Sequence, residues 1–164
     1  MKRTLITAAL TATLLAGCYV VPIDGRPYPP PAPAHNPDAA GPLQRLNLQA
    51  RLYPLNDTAG KMGMLTAQVT DTLNGHGTFS LGVAGELLQG EASRVTNDHP
   101  GFGAVHRQVY GDGHMPGAGR RGIANAGGTR GTYVNCEYVL TAAARGTGAC
   151  LFSNGARYQM HFGG

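Results

Sequence analysis

The sequence predicts a small all-β domain, an antiparallel meander folded as a sandwich or a barrel, behind an export signal and a proline-rich tether. Three observations carry that reading. Apolar letters alternate with polar ones at Leu46, Leu48, Ala50 and Leu52, at Leu65, Ala67 and Val69, and at Phe79, Leu81 and Val83, the period of a strand with one buried face. Glycine reaches 25 of 164 residues while charged residues are 13% and tryptophan is absent, which excludes a coiled coil, a long solvated helix or an acidic tail. The gaps between alternating runs are short and hold Asn74-Gly75 and Asn154-Gly155, dipeptides that accept the positive φ angles of type I′ hairpins.

The first element is not part of the fold. Met1 to Gly17 joins a Lys2-Arg3 pair to an apolar run from Leu5 to Leu15, then Ala16 and Gly17 before Cys18; it is too short to span a bilayer and has the regions of an export signal. Leu14-Leu15-Ala16-Gly17-Cys18 resembles the bacterial lipobox. The resemblance implies cleavage before Cys18, a diacylglycerol on its thiol and an acyl chain on the freed amine; each buried CH₂ contributes about 0.8 kcal/mol, so two or three chains anchor firmly. Tyr19 stands where aspartate commonly signals inner-membrane retention, which implies the outer membrane. Removing Lys2 and Arg3 from the formal +4 leaves a small positive charge, and no nucleic-acid footprint is expected.

The tether follows. Eight of the eleven prolines lie between Tyr19 and Pro42, a composition that favours polyproline II and a semi-rigid spacer. The chain thus divides into a lipoprotein signal peptide at 1–17, the lipidated Cys18 with its Pro-rich linker at 18–42, and a β domain at 43–164. As a whole it is similar to the small Gly-rich lipoproteins of Gram-negative bacteria.

Within the domain, strands are expected at 44–53, 62–71, 77–84, 86–95, 103–110, 131–140, 147–153 and 156–163, consecutive ones pairing antiparallel, with no helix. Gly75 to Leu81 echoes Gly146 to Phe152, each a G-x-G before alternating apolar positions, so two strand-turn-strand units are expected with glycines at bends or bulges where a side chain would strike the next strand. In the second unit Cys150 and Phe152 are expected to face the interior, with Tyr158, Met160 and Phe162 at alternate positions of the last strand. Gly146-x-Gly148 with Asn154-Gly155-x-x-Tyr158-x-x-x-Phe162 resembles a single MORN hairpin, with Met160 where that family prefers glycine. The resemblance implies a hairpin and no function.

Ser153 to Tyr158, with Tyr133 to Cys136 upstream, is also loosely similar to lipid-anchored inhibitors of C-type lysozyme, small barrels that present a Ser-Gly-x-x-Tyr loop. It implies a binding loop of Ser153, Asn154, Gly155, Arg157 and Tyr158. This chain departs by inserting Asn154, by placing Cys150 before the loop and by lacking a later Trp-containing strand.

With Cys18 lipidated, Cys136 and Cys150 remain in an oxidising compartment and are expected to form a disulfide; their spacing lacks metal-site grammar. His99, His106 and His114 fall near Asp98 and Asp112, where a hydrolase site would need at least three of the five to converge; otherwise these histidines face water. No G-x-S-x-G occurs, and Gly117 to Gly122 matches GxGxxG without the preceding strand or following helix that motif requires. Gly111 to Gly131 reads as a Gly-rich loop whose Arg120, Arg121 and Arg130 keep it solvated or grip envelope phosphates and carboxylates. No catalytic residue, metal or cofactor is therefore expected. The expected function is that of a lipid-anchored envelope protein whose non-catalytic β domain is structural or docks on an envelope protein or glycan; the hairpin-loop inhibitor and the hydrolase are the alternatives.

Overall fold

The structure, a computed structural model, describes residues 45–163 apart from Leu73 and Met115. The expected signal peptide, Cys18 and the linker lie outside the described residues. Eight strands follow one another: β1 Leu46–Pro54, β2 Leu65–Asp71, β3 His76–Val83, β4 Glu86–Val95, β5 Arg120–Gly127, β6 Tyr133–Ala142, β7 Arg145–Phe152 and β8 Arg157–Phe162. Each pairs antiparallel with the next and β8 pairs back onto β1 from Ala50↔Phe162 to Pro54↔Tyr158, closing a barrel.

The alternation seen in the sequence is the inside–outside parity of this barrel. Leu48, Ala50 and Leu52 of β1 and Leu65, Ala67 and Val69 of β2 are buried, while Asn47, Gln49, Arg51, Thr66 and Gln68 between them are exposed. An apolar interior under a polar wall reverses the pattern of a barrel that spans a bilayer. Eight strands enclose a bore that side chains just fill. Phe79, Leu88, Phe152, Tyr158 and Met160 fill it, with Phe152 against Tyr158 at 5.3 Å and Tyr138 against Phe162 at 5.2 Å between ring centres.

Several expectations need correction. Residues 103–110 are not a strand but a helix, α2 Ala104–Tyr110, packed on the outer wall at β6 and β7. Its N-cap residue, Gly103, has no side chain to cap with. The cap comes from the barrel: the Glu137 carboxylate accepts the His106 backbone N–H at 3.2 Å, so nothing local announced the helix start. A second helix, α1 Asp57–Met62, joins β1 to β2 and is capped by Asn56 and Gly63. It folds over the mouth of the barrel, with Ala59 in the core.

The expected loop of 111–131 contains β5. Past Arg120 at the rim, its inward positions are Gly122, Ala124 and Ala126, all buried, and at Gly122 any Cβ would collide with the Tyr138 ring. A strand with only small inward letters shows no apolar alternation. The type I′ geometry is also displaced: the consecutive positive φ angles are Ala84 at 48° and Gly85 at 72°, between β3 and β4. At Asn154-Gly155 only the glycine is left-handed, φ 80°, and its N–H donates to the Phe152 carbonyl, a type I turn with a bulge. The echoed glycines do serve close approach, since a Cβ on Gly77 or Gly148 would strike the Thr70 or Glu137 carbonyl. Neither sits at a bulge; the register shift of the β6–β7 ladder lies between Leu140 and Ala142.

Candidate functional site

The barrel has two unlike ends. One, called the tether end after the linker expected before Leu46, holds the starts of β1, β3, β5 and β7. The other, the far end, holds the starts of β2, β4, β6 and β8 together with α1. Five large apolar side chains are exposed among the described residues, Tyr53, Leu55, Met64, Leu87 and Tyr133, and all five lie at the far end, within two positions of a strand terminus there.

The β7–β8 turn is built into that end. Ser153 and Tyr133 exchange hydrogen bonds, the Ser153 N–H donating to the Tyr133 carbonyl at 2.9 Å and the Tyr133 N–H to Ser153 Oγ at 3.2 Å. Asn56 clasps the turn from the other side: its Nδ2 donates to the Gly155 carbonyl at 3.0 Å, and its Oδ1 accepts the N–H groups of Ala59 and Arg157, each at 3.1 Å. The exposed residues Ser153, Asn154, Gly155 and Arg157 are thus held by backbone geometry. Beside them, between α2 and the wall, runs a groove of about 650 Å³ edged by Val105, Gln108, Tyr133, Ser153 and Arg157, within the size range of ligand clefts.

Tyr158 does not belong to this surface. The resemblance implied a loop residue, but it is fully buried, with its hydroxyl 3.0 Å from the Ala59 and Gly63 carbonyls, and burial pushes the phenol above its usual range. It shares inward parity with Met160 and Phe162, and it ties α1 to the core.

Cys136 and Cys150 are disulfide-bonded. They sit directly opposite in the β6–β7 register and are buried inside the barrel. The bond therefore staples the interior, on the inner face of the two strands that lead to the exposed turn.

The histidines and carboxylates do not assemble into a site. Among the described residues no three His, Cys, Asp or Glu side chains are grouped to hold a metal. Contrary to expectation, His106 does not face water: it is buried with its Nδ1 3.0 Å from Glu137 Oε2, in a ladder of rings that runs Phe102, His106, Tyr110, His114 along α2. Burial pulls the Glu137 carboxyl upward. The hydrogen bonds it accepts from the His106 side chain and from the backbone N–H groups of His106, Val105 and Gly103 outweigh that and hold it below the usual carboxylate range. Asp98 is held low by the Thr96 hydroxyl.

The arginines of the expected loop are likewise placed. Arg130 caps the far end, where its N–H donates to the buried Glu86 at 2.6 Å and its guanidinium reaches the Ala84 carbonyl at 2.8 Å; that backbone N–H, with the Thr132 hydroxyl, holds the Glu86 carboxyl low. Arg121 donates to the Asn97 carbonyl and lies 5.0 Å over the Phe102 ring. Sequence reasoning missed Asn56, Glu86 and Glu137. Of these only Asn56, followed by Asp57 and closed by Gly63, left a local trace.

No protein-family model matches the chain, and no curated protein or solved structure matches it either.

Proposed function

We propose that this chain is a lipid-anchored protein of the outer membrane whose barrel is a non-catalytic docking module, with the far end as its contact face. The observation that carries the reading is the segregation of all five exposed large apolar side chains to that end; such residues away from the core mark interaction surfaces when they gather. A filled bore leaves recognition to the outside of the barrel. The contact face combines the apolar rim, the exposed Ser153–Gly155 turn and the adjoining groove, and Tyr133 and Arg157 at its edge are residue types favoured at binding centres. An envelope protein fits this mixture, and a glycan stacking on Tyr133 is the other occupant.

The exposed turn beside a concave surface favours a second, narrower reading of the same face, a hairpin loop offered to an enzyme as an inhibitor. A photo-reactive residue at position 133, introduced into the lipidated protein in intact envelopes, is expected to capture a defined partner, and one at Arg51 on the mid-wall of β1 is not. Equal capture from both positions excludes the far end as the docking face. Anchoring is tested apart from docking: Cys18→Ser is expected to abolish acylation, and wild-type detergent partitioning of that variant would overturn the lipoprotein assignment.

A further inference from the structure

At the tether end the last inward rung of the barrel is charged. Asp71 of β2, Arg94 of β4 and Arg120 of β5 occupy inward positions, continuing the series Val69, Ala92 and Gly122 one step outward. Arg94 pairs with Asp71. Arg120 spends one of its N–H donors on the Ala142 carbonyl at 3.2 Å, and the rung thus holds two arginines and a single carboxylate. Both line a hollow of about 10 Å³, roughly the room one water needs. Its floor is Leu48, Val69 and Leu140, with Tyr138 reaching in from β6.

We propose that this mouth binds a compact phosphate oxyanion, gripped by Arg94 and Arg120 and by the Tyr138 hydroxyl. The site is separate from the far-end docking face and stands without the lipid anchor.

The chemistry selects phosphate. Arg94 keeps donors beyond the one on Asp71 and Arg120 keeps donors beyond the one on Ala142, and with the Tyr138 hydroxyl they match the several acceptors of a tetrahedral phosphate better than the two oxygens of a carboxylate. Burial pushes the Tyr138 phenol up to about 12, Asp71 adding to the rise and Arg94 opposing it, so the hydroxyl keeps its proton and stays a donor at neutral pH. The hollow is too small for a sugar or a base, and the phosphate therefore sits at the rim with whatever carries it outside. The surrounding field favours an anion: Arg45 stands just before β1, Arg121 is the second residue of β5 and Arg145 the first of β7, all at the same end, and fixed charge of one sign raises the local concentration of its counter-ion. The carboxylates Asp98 and Asp112 lie between β4 and β5, on connections that leave and re-enter the barrel at this end, and offset part of that charge.

Melting of the full-length protein in detergent tests the site, with inorganic phosphate titrated against sodium acetate and chloride at matched ionic strength. A ligand at about 50 times its Kd multiplies the folded-to-unfolded ratio about 50-fold, a rise of several degrees. Phosphate is expected to give that rise and acetate is not. Arg120→Gln and Arg120→Lys are both expected to weaken the apparent affinity about tenfold or more, the lysine because it keeps charge and loses the fork, while Arg51→Gln on the wall keeps the wild-type response. Dihexanoyl phosphatidic acid below its micelle concentration separates the sources: tighter binding than inorganic phosphate assigns a lipid headgroup, and equal binding assigns the free ion, both within the proposal. An equal phosphate rise in wild type and Arg120→Gln is general salting and overturns the site, as does a matching response to acetate.

Discussion

The two ends of the barrel solve one problem differently. At each end the inward rung carries charge over an apolar core, which is costly unless the charge is partnered. At the far end the partner is the protein itself: Glu86 is buried under the β5–β6 turn with the Arg130 N–H on its carboxylate, and α1 covers the rest of the mouth through Ala59 and Tyr158. The inward charge there is consumed internally, and the outer rim carries the exposed apolar side chains beside the Ser153–Gly155 turn. At the tether end no helix among the described residues covers the mouth, and Arg94, Asp71 and Arg120 line a hollow. One closed meander thus carries an apolar rim and an arginine-lined mouth at opposite ends, with the strands setting the distance between them.

The largest effect breaks the frame both ends share. A chain ending at Gly155 loses β8, and with it Tyr158, Met160 and Phe162, all buried, and both seams, β7–β8 and β1–β8. At about 1.5 to 3 kcal/mol for each fully buried side chain, with two strand edges newly exposed, the loss rivals the whole stability of a domain. No cooperative melting transition is expected from that chain. A transition within a few degrees of the full protein would show that the barrel need not close, and neither end would then be a defined surface.

Next comes the staple between the ends. Cys136→Ala opens a cross-link buried in the core and is expected to cost about 2 to 5 kcal/mol, read as a fall in urea midpoint. Non-reducing peptide mapping of the wild type should recover Cys136 joined to Cys150. Because the bond lies in the far-end half of the β6–β7 ladder, amide protection should fall most in the far-end halves of β6 and β7.

The sequence made most of this frame legible and hid the parts whose signals are not local. β1, β3 and β8 could be read because their inward letters are large, as in Leu48–Leu52, Phe79–Val83 and Tyr158–Phe162. β5 could not, since its buried inward letters are only Gly122, Ala124 and Ala126, with Tyr138 filling the side-chain space at Gly122. α2 was hidden because its cap, Glu137, lies 31 residues after the His106 N–H it receives. Its alternating Val105 and Val109 fit a strand as well as a helical i, i+4 pair, and only Gly111, the left-handed residue after it, marked a helix end. The exposed turn was visible as a turn. That Tyr158 turns inward followed from its parity with Met160 and Phe162, whereas the gathering of Tyr53, Met64, Leu87 and Tyr133 at one end needed the closure direction of the barrel.

Glu137 distinguishes α2 from both ends. Glu137→Gln keeps the shape and removes the charge that receives the His106 side chain and N–H groups, an expected loss of about 1.5 to 3 kcal/mol at neutral pH. Its folded-state pKa is lowered, so the stabilisation is present above the unfolded value of about 4.3 and is lost as pH falls through the folded value. The gap in urea midpoint between wild type and Glu137→Gln should therefore close as the pH is taken below 4. A gap that is unchanged at pH 3 would mean that the carboxylate does not hold α2.

The smallest effect sharpens the contrast most. Asn56 makes three hydrogen bonds, two accepted by Oδ1 from Ala59 and Arg157 and one donated by Nδ2 to Gly155, and so it both caps α1 and pins the exposed turn. Asn56→Ala removes all three and is expected to cost about 1 to 2 kcal/mol, the range of a lost helix cap. Asn56→Asp keeps both accepting roles and turns the third contact into a carboxylate facing the Gly155 carbonyl, so α1 should stay capped while the turn is released. Hydrogen exchange separates the two variants: the Gly63 N–H, bonded to the Ala59 carbonyl at the end of α1, should lose protection in Asn56→Ala and keep it in Asn56→Asp. The Gly155 N–H, bonded to Phe152 within the turn, should lose protection in both. Amides at the tether end, such as Arg94 N–H on the Gly75 carbonyl, should be unmoved in either. If Asn56→Ala instead loosens both ends equally, α1 and the turn are part of one global unit, and the far end is not a separately ordered face.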